Sequence, residues 1–408
     1  MAGFFPIFFN EYWGADLSAT DGTFWLGVAN SVSGALVILV APLLGATADR
    51  AGRKKTLLLL ATLLGIAMST ALYFVQQGQW VLAAAIYVLA MLGFSGSSVF
   101  YDALLLTVAP RGRVDFVSAL GFAYGYLGGG LLFVLVVLMT LYPDAFGLPD
   151  APTAVRVSFL LVALWWAVFC VPLFIWVPEP ATPDRVRGVG ALRAGWQRLR
   201  ATFGEVRRLR MVMLFLIAYW FYIDGVHSII RMATDYGYGL GFGREDLILA
   251  LLLVQFIAFP MALVFGKLGQ RLGAKTGIYI ALGVYAGVVV WAYFIQHAWE
   301  FYVLAAAIGC VQGGVQALSR SYYSTLIPRQ QSAEFFGFYN IMGKFAAVLG
   351  PLLIGTVAAI TDSPRHSILS VLALFAIGAL LLARVDQRQA RALARASASA
   401  PQAGSGRP

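Results

Sequence analysis

Asp224, His227, Arg231 and Asp235 recur at steps of three, four and four inside one long apolar run. At about 100° per residue they share a helix face within roughly 80° of arc. Charge inside an apolar span is expensive, so each of these residues invites a functional explanation. Counting from Arg210 at about 1.5 Å per residue, Asp224 lies roughly midway to two-thirds across a bilayer from the cytoplasmic side. A carboxylate at that depth, with a histidine one turn on, can take up a proton or hold an ammonium group. The alternative is a structural Asp224–Arg231 or Asp235–Arg231 pair. We assign Asp224 and His227 to an ion or solute pathway, and Arg231 and Asp235 to a gate.

A second pair lies in two other apolar runs. Counted back from Pro110 and Pro328, Asp102 and Arg320 occupy equivalent places, both about 12 Å inside the ends of their helices. Asp102 shares a face with Ser95 and Ser98, and Arg320 shares one with Gln312, Gln316 and Tyr323. An inward arginine among amides can clamp a substrate carboxylate through its planar fork. Equally, it can pair with an acid as a gate closed in one state only. Lys344, one turn beyond Asn340, is a weaker candidate whose other role is to neutralise an acid. Enzymatic readings find little support. His227, His297 and His366 are scattered without metal-ligand spacing. Gly273-Ala-Lys275-Thr276 lacks the glycine spacing of a phosphate loop. No metal or cofactor is expected, so the driving force would be a gradient.

The elements that hold these residues follow from composition. The chain is 60% hydrophobic and 12% charged, against about 25% charged in soluble domains. Its solvent is therefore lipid. The net charge of +10 is dispersed over alternate loops, whereas nucleic-acid binding needs a continuous basic face. Cys170 and Cys310 sit inside apolar runs, as reduced buried thiols do. At roughly 20 apolar residues per crossing, complete spans run near Gly22–Leu44, Thr56–Gln76, Trp80–Ala109, Phe116–Leu141 and Ala154–Val177. After a polar linker come Leu209–Asp235, Asp246–Phe265, Gly277–Gln296, Trp299–Ile327, Phe335–Ile360 and Ser367–Ala383. Met1 to Trp13 adds roughly half a crossing, for about eleven and a half spans.

Basic residues concentrate in the loops on one side: Arg50 to Lys55, Arg111 and Arg113, the linker, Lys267 to Lys275, Arg329 and the tail. By the positive-inside rule that side, with the C-terminus, is cytoplasmic. The half-crossing at Met1 then exits outward, so the expected start of span 1 is missing, through a misplaced start codon or a fragment.

The loop Gly45-Ala-Thr-Ala-Asp49-Arg50-Ala-Gly52-Arg53-Lys54-Lys55 has a worn copy half a chain later, Gly266-Lys267-Leu-Gly-Gln-Arg271-Leu-Gly273-Ala-Lys275-Thr276. Glycine permits a tight turn, the Asp can cap a helix or accept from the Arg, and the cations hold the loop at the membrane face. Seeing it twice implies two homologous membrane halves, the plan of many secondary transporters. The expected organisation is an N-terminal bundle over 1–178, a linker over 179–208, a C-terminal bundle over 209–384 and a tail over 385–408. In the linker Leu192, Trp196, Leu199, Phe203 and Val206 recur at steps of four and three, as an amphipathic helix does. It would lie on the inner membrane face or pack on the protein's own loops. The Ala/Ser/Gly/Pro-rich tail is expected to lack fixed structure.

These features resemble the major facilitator superfamily, on the strength of the Gly45–Lys55 loop, its copy and the two-half layout. Within it the chain resembles the unknown-major-facilitator group related to the vacuolar amino-acid effluxers of yeast autophagy. The residues that carry this are Tyr222-Ile-Asp224-Gly225-Val226, Gln312-Gly-Gly-Val-Gln316-Ala-Leu-Ser319-Arg320-Ser321 and Glu334-Phe-Phe-Gly337-Phe-Tyr339-Asn340. The departure is the opening of span 1, where the group carries a Tyr-Asp-Trp-Ala-Asn-Ser stretch. The resemblance implies an all-α membrane protein of two pseudo-symmetric six-helix bundles, the first helix truncated, with a midplane cavity and alternating access. It adds Tyr339 and Asn340 to the pathway. Gly45, Asp49, Arg50, Gly52 and Arg53 become a conformational switch.

The leading function is gradient-driven transport of a small polar solute, amino acids or short peptides, as efflux, coupled to a proton or cation. The expected form is a monomer in a bacterial inner membrane. A second transport reading is efflux of amphipathic drug-like or lipid-like compounds, and a third possibility is a transport-incompetent scaffold. The charge asymmetry gives a direct test. Single cysteines at Gly78 or Gly147 should be labelled from outside intact cells, and those at Gly52, Gly188 or Gly404 only after permeabilisation. The opposite pattern would reverse the orientation.

Overall fold

The computed structural model describes residues 5–110, 112–179, 209–239, 241–345, 349–361 and 364–387. Their regular elements are all helical. A short α1 (Phe5–Phe8) runs into a π-helical turn, Phe9–Trp13. There follow α2 (Ala19–Ala51), α3 (Lys54–Phe74), α4 (Trp80–Val108), α5 (Val114–Leu141) and α6 (Ala151–Trp176). Beyond the linker come α7 (Arg210–Gly239), α8 (Arg244–Leu272), α9 (Ala274–Phe294) and α10 (Ala298–Leu326). The last are α11 (Ser332–Phe345), α12 (Leu349–Thr361), α13 (Pro364–Leu369) and α14 (Val371–Ala383). Among the described residues ten segments are long and apolar enough to cross a membrane. The span expected over Phe335–Ile360 is represented by α11 and α12. The expected linker helix and most of the tail lie outside the described residues.

Helices dominate because lipid offers no hydrogen-bonding partner, so a spanning backbone must satisfy itself. Capping residues set the starts. The Ser18 hydroxyl accepts from the Asp21 N–H at 3.1 Å, and the Asp150 carboxylate accepts from the Thr153 N–H at 2.8 Å. Pro42, Pro172 and Pro260 lie inside α2, α6 and α8, a placement that soluble helices rarely allow and membrane helices tolerate.

By proximity the chain gathers into two compact units. The first holds residues 1–104, 128–195 and 336–341, and the second 105–127, 196–335 and 342–408. Each therefore includes a stretch from the other half of the sequence. In the first unit Phe5, Phe8, Phe9 and Trp13 form an aromatic core with Leu72, Val75 and Phe159. The Trp13 indole donates to the Val75 carbonyl at 3.3 Å. In the second unit α7 and α14 pack through reciprocal glycines. A Cβ on Gly225 would lie 2.7 Å from the Phe375 ring, and one on Gly378 would lie 2.8 Å from Tyr222 Cβ.

The repeated loops close their helices in matching ways. Gly52, with φ 59°, ends α2 in the left-handed region, and Gly273, with φ 88°, separates α8 from α9. Side chains larger than hydrogen are strained there. Asp49 lies buried near the end of α2, three residues before Gly52. It pairs with Lys54 at 2.6 Å, with both side chains buried. Each loop also carries a lysine that reaches the end of a distant helix, from different registers: Lys55 stands three residues after Gly52 and Lys275 two after Gly273. Lys55 Nζ donates to the Val177 carbonyl at 2.6 Å, just past the end of α6. Lys275 Nζ donates to the Ala383 and Val385 carbonyls, both at 3.0 Å, at the end of α14. A cation at a helix C-terminus meets unsatisfied carbonyls and the negative end of the macrodipole. Each loop thus ties down the last helix of its own half.

That parallel predicts parallel losses. Lys55→Met and Lys275→Met should each lower stability in detergent by about 1–2 kcal/mol, read by thermal unfolding. The exposed Lys267→Met control should change little.

Candidate pathway and gate

Four residues on α5 descend one face at steps of three, four and four: Asp115, Ser118, Phe122 and Tyr126. On α10 the facing residues are Gln312, Gln316, Arg320 and, one position on, Ser321. All of these belong to the second unit. The two rows join rung by rung. The Tyr126 hydroxyl donates to Gln316 Oε1 at 3.2 Å. Arg320 lies over the Phe122 ring, its Cζ 4.6 Å from the centroid. Arg320 Nε donates to Ser118 Oγ at 3.0 Å, and Nη2 donates to the Ser118 carbonyl at 2.9 Å. Ser118 Oγ in turn donates to the Ala317 carbonyl at 2.7 Å, and Ser321 Oγ donates to Asp115 Oδ1 at 2.5 Å. Arg320 is only 4% exposed, so its charge depends on these acceptors.

Sequence spacing placed Arg320, Gln312 and Gln316 on one face, and the structure keeps them there. Asp115, Ser118 and Phe122 were missed. The signal that could have found them is their helical spacing, directly after the Arg111–Arg113 loop. The glycines of the second loop admit α5. A Cβ on Gly266 would lie 2.5 Å from that of Ala119, and one on Gly269 would lie 3.2 Å from that of Asp115.

In the first unit Asp102 is buried and accepts from Asn340 Nδ2 at 3.2 Å. Asn340 stands in the stretch 336–341 that this unit takes from the second half of the chain. Beside it Gly337 approaches α2, where a Cβ would lie 2.9 Å from Pro42 Cα. Tyr339 is buried, with its ring edge-on to Phe336 at 5.8 Å. Ser98 does not join Asp102, since its hydroxyl donates back to the Phe94 carbonyl at 2.9 Å.

Asp224 is fully buried and accepts from the Gly350 N–H on α12 at 3.1 Å. A Cβ on Gly350 would fall on the Ser228 hydroxyl. The backbone of α12 therefore lies directly against the Asp224–Ser228 turn of α7. His227 is half-buried beside it. The side chains of Arg231, Asp235, Lys344 and Arg50 lie outside the described residues. Arg53 is exposed. No group of three or more His, Cys, Asp or Glu residues able to hold a metal occurs among the described residues.

Helix count, loop repeat and connectivity define a multi-pass membrane protein of the major facilitator fold. Solved structures agree on the fold. The human organic anion transporter MFSD10 aligns with a TM-score of 0.66 at 16% identity, covering 93% of each chain. The proton:xylose symporter XylE aligns with a TM-score of 0.69 at 14% identity, covering 94% of this chain and 90% of the other. Residues 22–111 and 107–395 match the family described as vacuole effluxer Atg22 like, and the chain belongs to that family. An uncharacterized MFS-type transporter of Bacillus subtilis, YxiO, is 37% identical over 385 residues, 94% of this chain and 90% of that protein. Autophagy-related protein 22 of Yarrowia lipolytica is 28% identical over 306 residues, 67% of this chain. The matched region spans about half (51%) of that fungal relative's length. The protein is thus an MFS transporter, and its relatives are transporters rather than enzymes.

The α5–α10 seam yields a prediction. Ser118→Ala removes one charge-assisted acceptor from Arg320 and should lower thermal stability by about 1.5–3 kcal/mol. Ser158→Ala, whose hydroxyl bonds only within its own helix at Val155, is the control and should cost less.

Proposed function

We propose that this transporter moves amino acids or short peptides outward across a bacterial inner membrane, by alternating access driven by a proton gradient. Its C-terminus and basic loops are cytoplasmic, and the monomer is the working unit. The observation that carries the reading is the holding of Arg320. A buried guanidinium on α10 is satisfied by a hydroxyl, a carbonyl and an aromatic face of α5, a helix from the other half of the sequence. Water or a solute carboxylate can replace these three contacts as the helices part. This favours Arg320 as a gate that becomes a carboxylate clamp when opened. Asp102–Asn340 is a second contact of the same kind.

Asp224 is the proposed proton carrier. It is fully buried at mid-helix, with a backbone N–H placed to receive the charged form and a histidine one residue before Ser228. Proton uptake there would weaken its hold on α12 and couple protonation to movement of that helix. The switch loop Gly45–Lys55 and the residues Arg231 and Asp235 complete the proposed set of gating groups.

The test uses proteoliposomes loaded with radiolabelled amino acids. Asp224→Asn should abolish transport driven by a pH gradient while leaving solute exchange, which needs no net proton movement. Loss of exchange as well, in folded protein, would recast Asp224 as a solute ligand or structural group. Unchanged gradient-driven transport would remove it from the mechanism. Arg320→Lys keeps the charge but loses the planar fork, so it should weaken acidic solutes more than neutral ones.

A further inference from the structure

Above the Arg320 rungs, the seam ends in polar groups that no contact uses up. Gln312 lies midway along α10, fourteen residues from Ala298 and fourteen from Leu326. It is 8% exposed, and its Oε1 has no hydrogen-bond partner among the described residues. Tyr285, near the middle of α9, is fully buried, and its hydroxyl likewise has none. Tyr126, near the middle of α5, links the two. Its hydroxyl is engaged by the Gln312 amide as well as by Gln316, and it lies in the surroundings of Tyr285. Its ring rests on α10 at Gly313, where a Cβ would come within 3.1 Å of it. Tyr126 and Gln316 are only partly buried, so the cluster has an open side.

Buried polar atoms are nearly always hydrogen-bonded, and each exception needs an explanation. Leaving an amide oxygen and a phenol unengaged costs stability at both positions. A solute group placed there would recover that loss. The four side chains are uncharged. A bare ammonium or carboxylate entering among them would lose its hydration without gaining a counter-charge. A hydroxyl or carboxamide suits them, because it can donate to Gln312 Oε1 while exchanging a hydrogen bond with Tyr285. Arg320 stands two helical turns further along α10, about 12 Å away, which leaves room for a small solute to reach from one to the other.

We propose that Tyr126, Gln312, Gln316 and Tyr285 form a solute-binding site that recognises an uncharged hydroxyl or carboxamide group. The inference rests on the transport reading above and narrows its solute. Amino acids with hydroxyl or amide side chains, or small polyols, meet the requirement, and purely aliphatic or cationic side chains do not.

The experiment measures thermal unfolding of purified protein with L-glutamine, xylitol, L-methionine and putrescine as probes. Glutamine or xylitol should raise the Tm of the wild type, and methionine and putrescine should not. Tyr285→Phe keeps the shape and removes only the unengaged hydroxyl, whereas Gln312→Met removes the idle Oε1 together with the amide that meets Tyr126. Tyr285→Phe should unfold at a higher temperature than wild type without probe, and both variants should bind glutamine or xylitol at least about tenfold more weakly. A probe-free loss of stability in Tyr285→Phe would show its hydroxyl already satisfied and overturn the proposal. A response to methionine or putrescine alone, preserved in Gln312→Met, would overturn it and leave the transport reading standing. Wild-type protein unmoved by all four probes, and impermeable to them in vesicles, would overturn both.

Discussion

A guanidinium that is 4% exposed inside a spanning helix has to find acceptors from protein, because the bilayer supplies none. Moving such an ion out of water costs on the order of 20 kcal/mol in the ideal limit, and several even after relaxation. Arg320 meets this demand from one face of α5, and that requirement organises the second unit. Ser118 must present both its hydroxyl and its carbonyl, Phe122 must lie flat beneath the charge, and Ser321 must reach Asp115. Gly266 and Gly269 must stay small so that α5 can approach. The packing there is dictated by a polar constraint. Apolar packing alone would have no preference between lipid and protein as a neighbour.

The repeated loop shows the same economy of causes. Its cations were expected to hold the loop at the membrane face; Arg53 is exposed, whereas Lys54 is buried in its ion pair with Asp49. Lys55 and Lys275 each bind the terminal carbonyls of the last helix in their own half, where several backbone acceptors have no partner within the helix. Asp49 has a partner in Lys54. In the second copy Gln270 stands at the Asp position, so that part of the device is not repeated. Lys275 stands at the Lys54 position and Thr276 at that of Lys55, so the two ties come from different registers, and what both copies keep is the glycine that ends the preceding helix in a conformation other residues resist.

A transporter must keep contacts strong enough to hold one state and weak enough to release it. The groups around Arg320 and Asp224 fit that balance. The serine hydroxyl and carbonyl at Arg320, and the backbone N–H at Asp224, are each worth a modest net contribution. The unengaged atoms of Gln312 and Tyr285 extend the same logic. Natural proteins give up stability where activity needs unsatisfied groups.

The sequence by itself determined the solvent, the helices and the repeat. A 60% hydrophobic composition and runs of bilayer length admit little else, and the loop copy at half a chain forces a two-half plan. It also determined that Asp102, Asp224 and Arg320 are exceptional, because a charge in such a run is conspicuous without any coordinates. Face-sharing along one helix was legible too, as Gln312, Gln316 and Arg320 confirm. Partners across helices were not, because helical periodicity orients a side chain about its own axis and says nothing of which helix stands opposite. Only the tertiary structure decided that Arg320 rests on Ser118 and Phe122, that Asn340 reaches Asp102, and that Asp224 faces the backbone of Gly350. It also decided that Tyr285, an unremarkable aromatic in an apolar run, stands with an idle hydroxyl near the Tyr126–Gln312 pair. Those pairings depend on contacts far apart in sequence, which helical spacing alone cannot encode.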